Sequence, residues 1–220
     1  MTAIPPPLFS FSLGDGEALV PRTPALAEAY HDLLVANRER LARWEAWALT
    51  PPVLAETRAF LEAGMRNWLA GSELPVAIAV RTDDQWHLVG AVSLTIIGYA
   101  RSAEIGYWID GEHEGRGLAS RAVAAVLDHA FGSLDIDRVA LHTDAANERS
   151  RALARRLGFV EEGLLRQGLA FPDERRDEAV YGLLAGEWKR RSSLGGDGHD
   201  RTLARGGRPA PGLVPAARRR

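Results

Sequence analysis

Glu114-Gly115-Arg116-Gly117-Leu118-Ala119-Ser120 stands between two contrasting patterns. Before it, residues 103–109 alternate in the manner of a strand. After it, Leu118, Ala122, Val126 and Ala130 recur every fourth residue, as on one face of a helix. The two glycines therefore sit at a strand-to-helix turn, where they let the backbone curl without a Cβ clash. The first-turn N–H groups of a helix have no partner inside it, and the helix dipole adds partial positive charge there. The stretch has the makings of a diphosphate cradle; an ordinary glycine-containing turn is the plain alternative. A nucleoside-triphosphate loop is excluded because no Gly-Lys-Ser/Thr follows. A dinucleotide fingerprint lacks its third glycine and its parallel βαβ start.

On the N-terminal side of this turn, residues 76–80 and 88–97 read as strands that form a meander with 103–109. Further back, Thr23-Pro24 and Thr50-Pro51-Pro52 are helix-start signals. Each precedes an apolar pattern in steps of three and four: Leu26, Tyr30, Leu33, Asn37 and Leu41 in the first, and Leu54, Leu61, Met65 and Trp68 in the second. On the C-terminal side, residues 139–143 form a strand and 148–157 a helix stopped by Gly158. Residues 159–169 and 178–184 then form two antiparallel strands around a polar turn at 172–177. The order β, α, α, β, β, β, α, β, α, β, β defines an α+β domain with a central mixed sheet. Its expected span is 17–190, after an N-terminal extension with a first strand at 1–16 and before a disordered basic tail at 191–220.

Composition narrows the function. The 220 residues carry 27 Lys+Arg against 29 Asp+Glu, a net charge of −2. From Lys189 onward there are nine basic and two acidic residues, which leaves 18 basic and 27 acidic, or −9, in residues 1–188. A nucleic-acid-binding core would show the opposite sign. There is no Cys, so thiolate catalysis, disulfides and Cys-ligated metals are excluded. The six His show no metal-ligand spacing, and no metal is expected. No apolar run reaches the roughly 20 residues of a membrane span, and the N-terminus lacks the charge of a secretory signal. A cytoplasmic enzyme fits these features, as monomer or homodimer.

Several motifs stand in one order: Ala103-Glu104-Ile105-Gly106-Tyr107-Trp108-Ile109, the glycine turn, Asn147-Glu148-Arg149-Ser150, and Leu157-Gly158-Phe159 with Glu162-Gly163. This order resembles the GNAT acetyltransferase superfamily, and within it the branch that acetylates ribosomal-protein N-terminal Ser or Ala. The likeness runs from about Leu19 to Trp188 and takes in the segment from Asn37 to Trp44 and Trp47. It implies a mostly antiparallel sheet with helices on both faces and one splayed strand pair. It also implies acetyl-CoA as donor and a primary amine as acceptor. The preferred acceptor is a protein N-terminus such as that of a ribosomal protein. A small amine (polyamine, aminoglycoside or amino-acid-like) is the alternative, and a non-catalytic acyl-CoA-binding regulator the more distant one.

The resemblance also assigns residues. Gly115, Arg116, Gly117, Leu118, Ala119 and Ser120 would hold the diphosphate, with Glu114 where the family has Gln or Arg. Glu114 is tolerable if it points outward, with Arg116 and Arg121 offsetting its charge. The backbone of Tyr107, Trp108 and Ile109 would pair with the pantetheine arm by strand addition, and Asn147 would bind that arm. Ser150 would protonate the leaving thiolate, with Tyr181 a weaker candidate for that role. Glu104 is the candidate base; Glu112, His113 and His142 are alternatives, His142 reading more plainly as a packed strand histidine. Trp44 and Trp47 would line the acceptor groove, although tryptophans at helical spacing also read as core.

Overall fold

The structure, a computed structural model, describes residues 2–7, 9–14 and 16–194. The chain begins with two short strands, β1 (Ala3–Ile4) and β2 (Phe11–Gly14), then β3 (Glu17–Pro21). Helices α1 (Ala27–Ala42) and α2 (Leu54–Leu69) follow. The meander is β4 (Glu73–Thr82), β5 (Gln85–Ile97) and β6 (Ser102–Ile109). Then come α3 (Leu118–Gly132), β7 (Arg138–Asp144), α4 (Glu148–Leu157), β8 (Val160–Ala170), β9 (Arg175–Leu184) and α5 (Ala185–Leu194). Among the described residues no helix is long and apolar enough to cross a membrane.

The strands form one sheet in the order β2-β3-β4-β5-β6-β7-β9-β8, with β1 added beside the start of β5. Every pairing is antiparallel except that of β6 with β7. Helices cover both faces. On one, Tyr30, Leu33 and Leu61 from α1 and α2 pack on Ala77, Ala79 and Ala91. On the other, Leu118, Val123, Leu127, Leu153 and Trp188 pack on Ile78, Ile105, Val139 and Tyr181. These alternations divide β6 cleanly: Ala103, Ile105 and Ile109 face α3, whereas Trp108 faces α1.

Several boundaries differ from the sequence reading. Pro24–Leu26 is a single 3-10 turn, and the α-helix proper starts at Ala27. Helix α2 starts at Leu54, past both prolines. A residue before proline is driven out of the helical region, so neither Thr50 nor Pro51 can open a helix. Strands β4 and β5 run on to a two-residue turn, Asp83-Asp84, where both φ angles are positive, as a type I′ hairpin requires. Arg175 and Arg176 belong to β9 rather than to a turn. The segment before residue 17 is part of the sheet, because β2 pairs with β3 across the expected boundary. At the other end, α5 carries helical structure through Leu194, so 191–194 are not part of an unstructured tail. Trp188 is buried and its indole N–H donates to Asp128 (2.9 Å), which holds this helix down. The rest of the expected tail, 195–220, lies outside the described residues.

Strand β8 closes one edge of the sheet, exposed along almost its whole length. Its register with β9 breaks twice, between Glu161 and Gly163 and between Leu165 and Leu169.

In the sheet centre, Gly90 faces Ile109. A Cβ on Gly90 would stand 2.5 Å from the Trp108 carbonyl oxygen and 3.0 Å from Ile109 Cα. Gly90→Ala is expected to cost about 2 kcal/mol, seen as a melting temperature lower by roughly 4–8 °C. An unchanged melting temperature would mean that β6 yields there freely.

Candidate active site

The parallel pair β6 and β7 is in register at only three positions: Ser102↔Arg138, Ala103↔Val139 and Glu104↔Ala140. Beyond Glu104 the strands part. Strand β6 stays paired to β5 as far as Ile109↔Gly90, and β7 stays paired to β9 as far as Asp144↔Glu178. The cleft between them opens at the carboxyl ends of two parallel strands, each leading into a helix N-terminus, a common place for a ligand in open α/β sheets. On the β7 side, the backbone groups of 105–109 have no strand partner, so an extended arm can add there by strand pairing.

The glycine turn lies at the mouth of this cleft. Gly115 and Gly117 have φ of 75° and 73°, the left-handed region, and Gly117 caps α3. The amides of 115–120 make no hydrogen bond among the described residues. The next one, Arg121 N–H, closes the first helical turn on the Gly117 carbonyl (3.0 Å). Gly115 and Arg116 are exposed, and Gly117, Ala119 and Ser120 are partly so. Leu118 turns its side chain into the core. These are the features of an anion cradle.

Glu114 points away from those amides. Its carboxylate accepts from Arg40 Nη1 (2.6 Å) and from Arg149 Nη1. Its charge is thus offset by Arg40 and Arg149, not by Arg116 and Arg121 as the sequence suggested. Arg121 is engaged by Glu17 (2.7 Å), while Arg116 remains exposed at the loop. Arg40 also donates to the Ile109 carbonyl and to Asn37 Oδ1 (2.9 Å), and Asn37 Oδ1 accepts from Gly111 N–H (3.2 Å). This pair from α1 therefore fixes both the end of β6 and the start of the loop. Sequence reasoning passed over it, although Asn37 is a buried polar residue on an otherwise apolar stripe, a signal of a satisfied polar contact. His113 donates to, or is paired with, Asp110 at the base of the loop (2.9 Å) and is nearly buried, so it supports the turn.

The two faces of the cleft differ. On the α3/α4 face, the Tyr107 hydroxyl lies 3.3 Å from Ser150 Oγ. Burial pushes the Tyr107 phenol above its usual range, against the opposing effects of Ser150 and Arg156, so it stays protonated. Asn147 is the N-cap of α4, its Oδ1 accepting from Ser150 N–H (3.2 Å). On the opposite face, Glu104 is exposed at the last paired position of β6. Nearby on that face, His142 is not packed in the core; its Nδ1 lies 3.2 Å from Glu178 Oε1. Tyr181 is buried, with its hydroxyl on Glu161 and Arg151, away from Ser150.

A groove of about 440 Å³ runs between the N-terminal helices and the sheet and reaches the free part of β6 at Gly106, Tyr107 and Trp108. Trp47 is 53% exposed on its wall, so it is groove lining rather than core. Trp44 is half-buried under the Arg43 guanidinium and does not line it. Trp108 packs its ring against Tyr30 (6.0 Å between centroids). The groove's charged lining residues are Arg22, Arg38, Glu45 and Glu56, with Arg22 already paired to Glu73. The Glu45 surface faces the groove, where surrounding protein displaces water. That loss of hydration raises its pKa, against the hydrogen bond from the Trp47 indole (3.0 Å). Arg22, which no local pattern singles out, is buried at the groove floor, bonded to Ser93 (3.0 Å) and Glu73 (3.3 Å). Among the described residues no cluster of three or more His, Asp or Glu is placed to hold a metal.

The profile of the acetyltransferase (GNAT) domain matches residues 18–160. The putative ribosomal N-acetyltransferase YdaF of Bacillus subtilis (strain 168) is 34% identical over 167 residues, 76% of this chain and 90% of the relative. The spermidine N(1)-acetyltransferase of Vibrio cholerae is 39% identical over 84 residues, 38% of this chain and 49% of the relative. A solved RimL, a ribosomal L7/L12 alpha-N-protein acetyltransferase in complex with coenzyme A, shares the fold with a TM-score of 0.75 at 23% identity. It covers 80% of this chain and 98% of its own.

The turn that carries the cradle has an acid-sensitive support. Burial alone would raise the Asp110 carboxyl, but hydrogen bonds from His113 and Asn37 and the charges of His113 and Arg40 together hold it below the usual carboxylate range. A carboxyl with a lower pKa folded than unfolded adds stability above its unfolded value, near 3.9, and loses it as pH falls through the folded one. Below about pH 4, wild-type stability in urea titrations is expected to fall more steeply than that of Asp110→Asn. Parallel curves for the two would show that Asp110 is not linked to folding.

Proposed function

We propose that this chain acetylates the N-terminal α-amine of a ribosomal protein. It belongs to the GNAT acetyltransferase family and is an acetyl-CoA-dependent N-acetyltransferase. The observation that carries the proposed site is the parting of β6 and β7 beyond Glu104, in line with the unpartnered amides of 115–120. A diphosphate fits those amides, and a strand-like arm fits the edge of Tyr107, Trp108 and Ile109, apart from the Ile109 carbonyl, which Arg40 occupies. The Asn147 side-chain N–H₂ would donate to the same arm.

The chemistry asks little of the protein beyond placement. An α-amine has a reference pKa near 8, so an appreciable neutral fraction exists at neutral pH, and a modest base suffices. Glu104, on the groove side, draws in the ammonium and loosens its proton. The amine nitrogen bonds to the thioester carbonyl carbon and the C–S bond breaks. On the opposite face Ser150, with the protonated Tyr107 hydroxyl beside it, supplies a proton to the departing sulfur. The carboxylate that loosens the proton and the hydroxyl pair that meets the sulfur thus lie on opposite faces of the sheet.

The groove supports a peptide acceptor. It is open, with Trp47, Val53 and Phe60 each about half exposed, and its walls are largely apolar. Among its lining residues are two carboxylates, Glu45 and Glu56, together with Arg38 and the Glu73-paired Arg22. A polyamine, with several cationic nitrogens, would call for more carboxylates than these. The name of the Bacillus relative points the same way, whereas the Vibrio relative keeps a small amine as the second reading. A ribosomal acceptor would place the reaction in the cytoplasm.

Acetyl-CoA consumption measured against N-terminal peptides, spermidine and an aminoglycoside is expected to favour the peptides. A preference for spermidine would select the small-amine reading, and no turnover despite tight binding would select a regulator. Glu104→Gln and Ser150→Ala are each expected to lower kcat, by on the order of 10²-fold for Glu104→Gln, while leaving the acetyl-CoA-induced rise in melting temperature in place.

A further inference from the structure

The proton loosened at Glu104 needs an acceptor that can keep it, and the sheet register brings one to the same face. Ala140 is the residue of β7 that pairs with Glu104. His142 lies two residues further on, where β7 has already left β6, and alternation puts it on the face of Glu104. Val139 and Leu141 point the other way, into the core beneath α3 and α4. Strand β9 supplies the third group: Glu178 shares that face, since Ala179 and Tyr181 are buried on the opposite one. Its carboxylate meets His142 Nδ1 at 3.2 Å. The next cation along β9, Arg176, is already engaged by Asp144 (3.3 Å) and Glu174, so it does not compete for Glu178.

With Nδ1–H donated to Glu178, the imidazole presents Nε2 as an acceptor, and the side chain is 31% exposed at the cleft. A base held by a carboxylate, with its second nitrogen free, is the arrangement by which proteins activate attacking groups. We propose that His142 takes the proton of the acceptor amine and that Glu178 is its positioning residue, Glu104 serving to hold the incoming ammonium. This rests on the acetyl-transfer reading above. The proton balance closes. The ammonium gives one proton to His142 Nε2, and the neutral nitrogen attacks the carbonyl carbon. As the C–S bond breaks, the sulfur takes a proton from the Ser150–Tyr107 hydroxyls, and the nitrogen's second proton passes through solvent to restore them. The imidazolium, stabilised by Glu178, then returns its proton to water.

The test is chemical rescue. His142→Ala is expected to lower kcat on the preferred amine by tenfold or more, with the acetyl-CoA-induced thermal shift unchanged. Added imidazole should restore a good part of the loss in proportion to its concentration. Glu178→Gln should lower kcat in the wild-type background and add little in His142→Ala, since its effect acts through the imidazole. His142→Gln serves as the second variant should His142→Ala lose its fold. A kcat within twofold of wild type in either His142 variant would overturn the proposal, as would a folded, inactive variant that imidazole does not rescue. Wild-type protein that acetylates no amine would instead overturn the acetyl-transfer reading, and this inference with it.

Discussion

Everything at this site depends on two neighbouring parallel strands being kept from closing on each other. Parting them leaves backbone N–H and C=O groups without partners, which a folded protein tolerates only where water or a ligand reaches them. Here each strand is pulled toward its own side. The end of β6 is tied to α1 by Arg40 on the Ile109 carbonyl and by Asn37 on Gly111, and Trp108 rests on Tyr30. The end of β7 is tied to β9: Asp144 accepts from Arg176, and Ala145 N–H donates to the Asp177 carbonyl (2.9 Å). On the α3/α4 face the two sides are bridged by the hydroxyl pair of Tyr107 and Ser150.

The same ties account for an unusual loop residue. A glutamate beside a diphosphate cradle should repel its ligand. Glu114 is harmless there because it is a structural carboxylate, clamped between Arg40 of α1 and Arg149 of α4. Its negative charge is spent on Arg40 and Arg149, so the amides of 115–120 keep their partial positive charge for an anion. The acidic excess of the chain is handled alike elsewhere, with carboxylates such as Glu17, Glu161 and Glu162 each facing an arginine.

Local features were legible in the sequence. The glycine turn, the alternation of β6 and the Asn147 cap all depend on residues close together in the chain, and each appears where its pattern put it. Groups assembled from distant segments were not. Arg40 reaches Glu114, Arg22 reaches Glu73 and Ser93, and His142 meets Glu178 across a strand pair whose register no local pattern encodes. Helix α5 escaped for a different reason: its Lys189, Arg190 and Arg191 resemble the basic segment that follows, and what distinguishes them are contacts with distant segments, such as Trp188 on Asp128 and Arg191 on the Arg156 carbonyl. Trp47 shows the limit of periodicity, since spacing suggested core whereas the two prolines after it delay α2 and leave the indole on an open wall.

The interrupted register of β8 bears on what the outer border of the sheet offers to another chain. A long outer strand is a template on which other chains can stack. Here the extra residues on β8 twist and offset its outward amides, Gln167 adopts a positive φ, and Glu162 is anchored to Arg138 (2.6 Å). An incoming strand would find matching donors for only a few residues at a time, so runaway polymerisation along this border is discouraged by geometry, with no covering helix among the described residues.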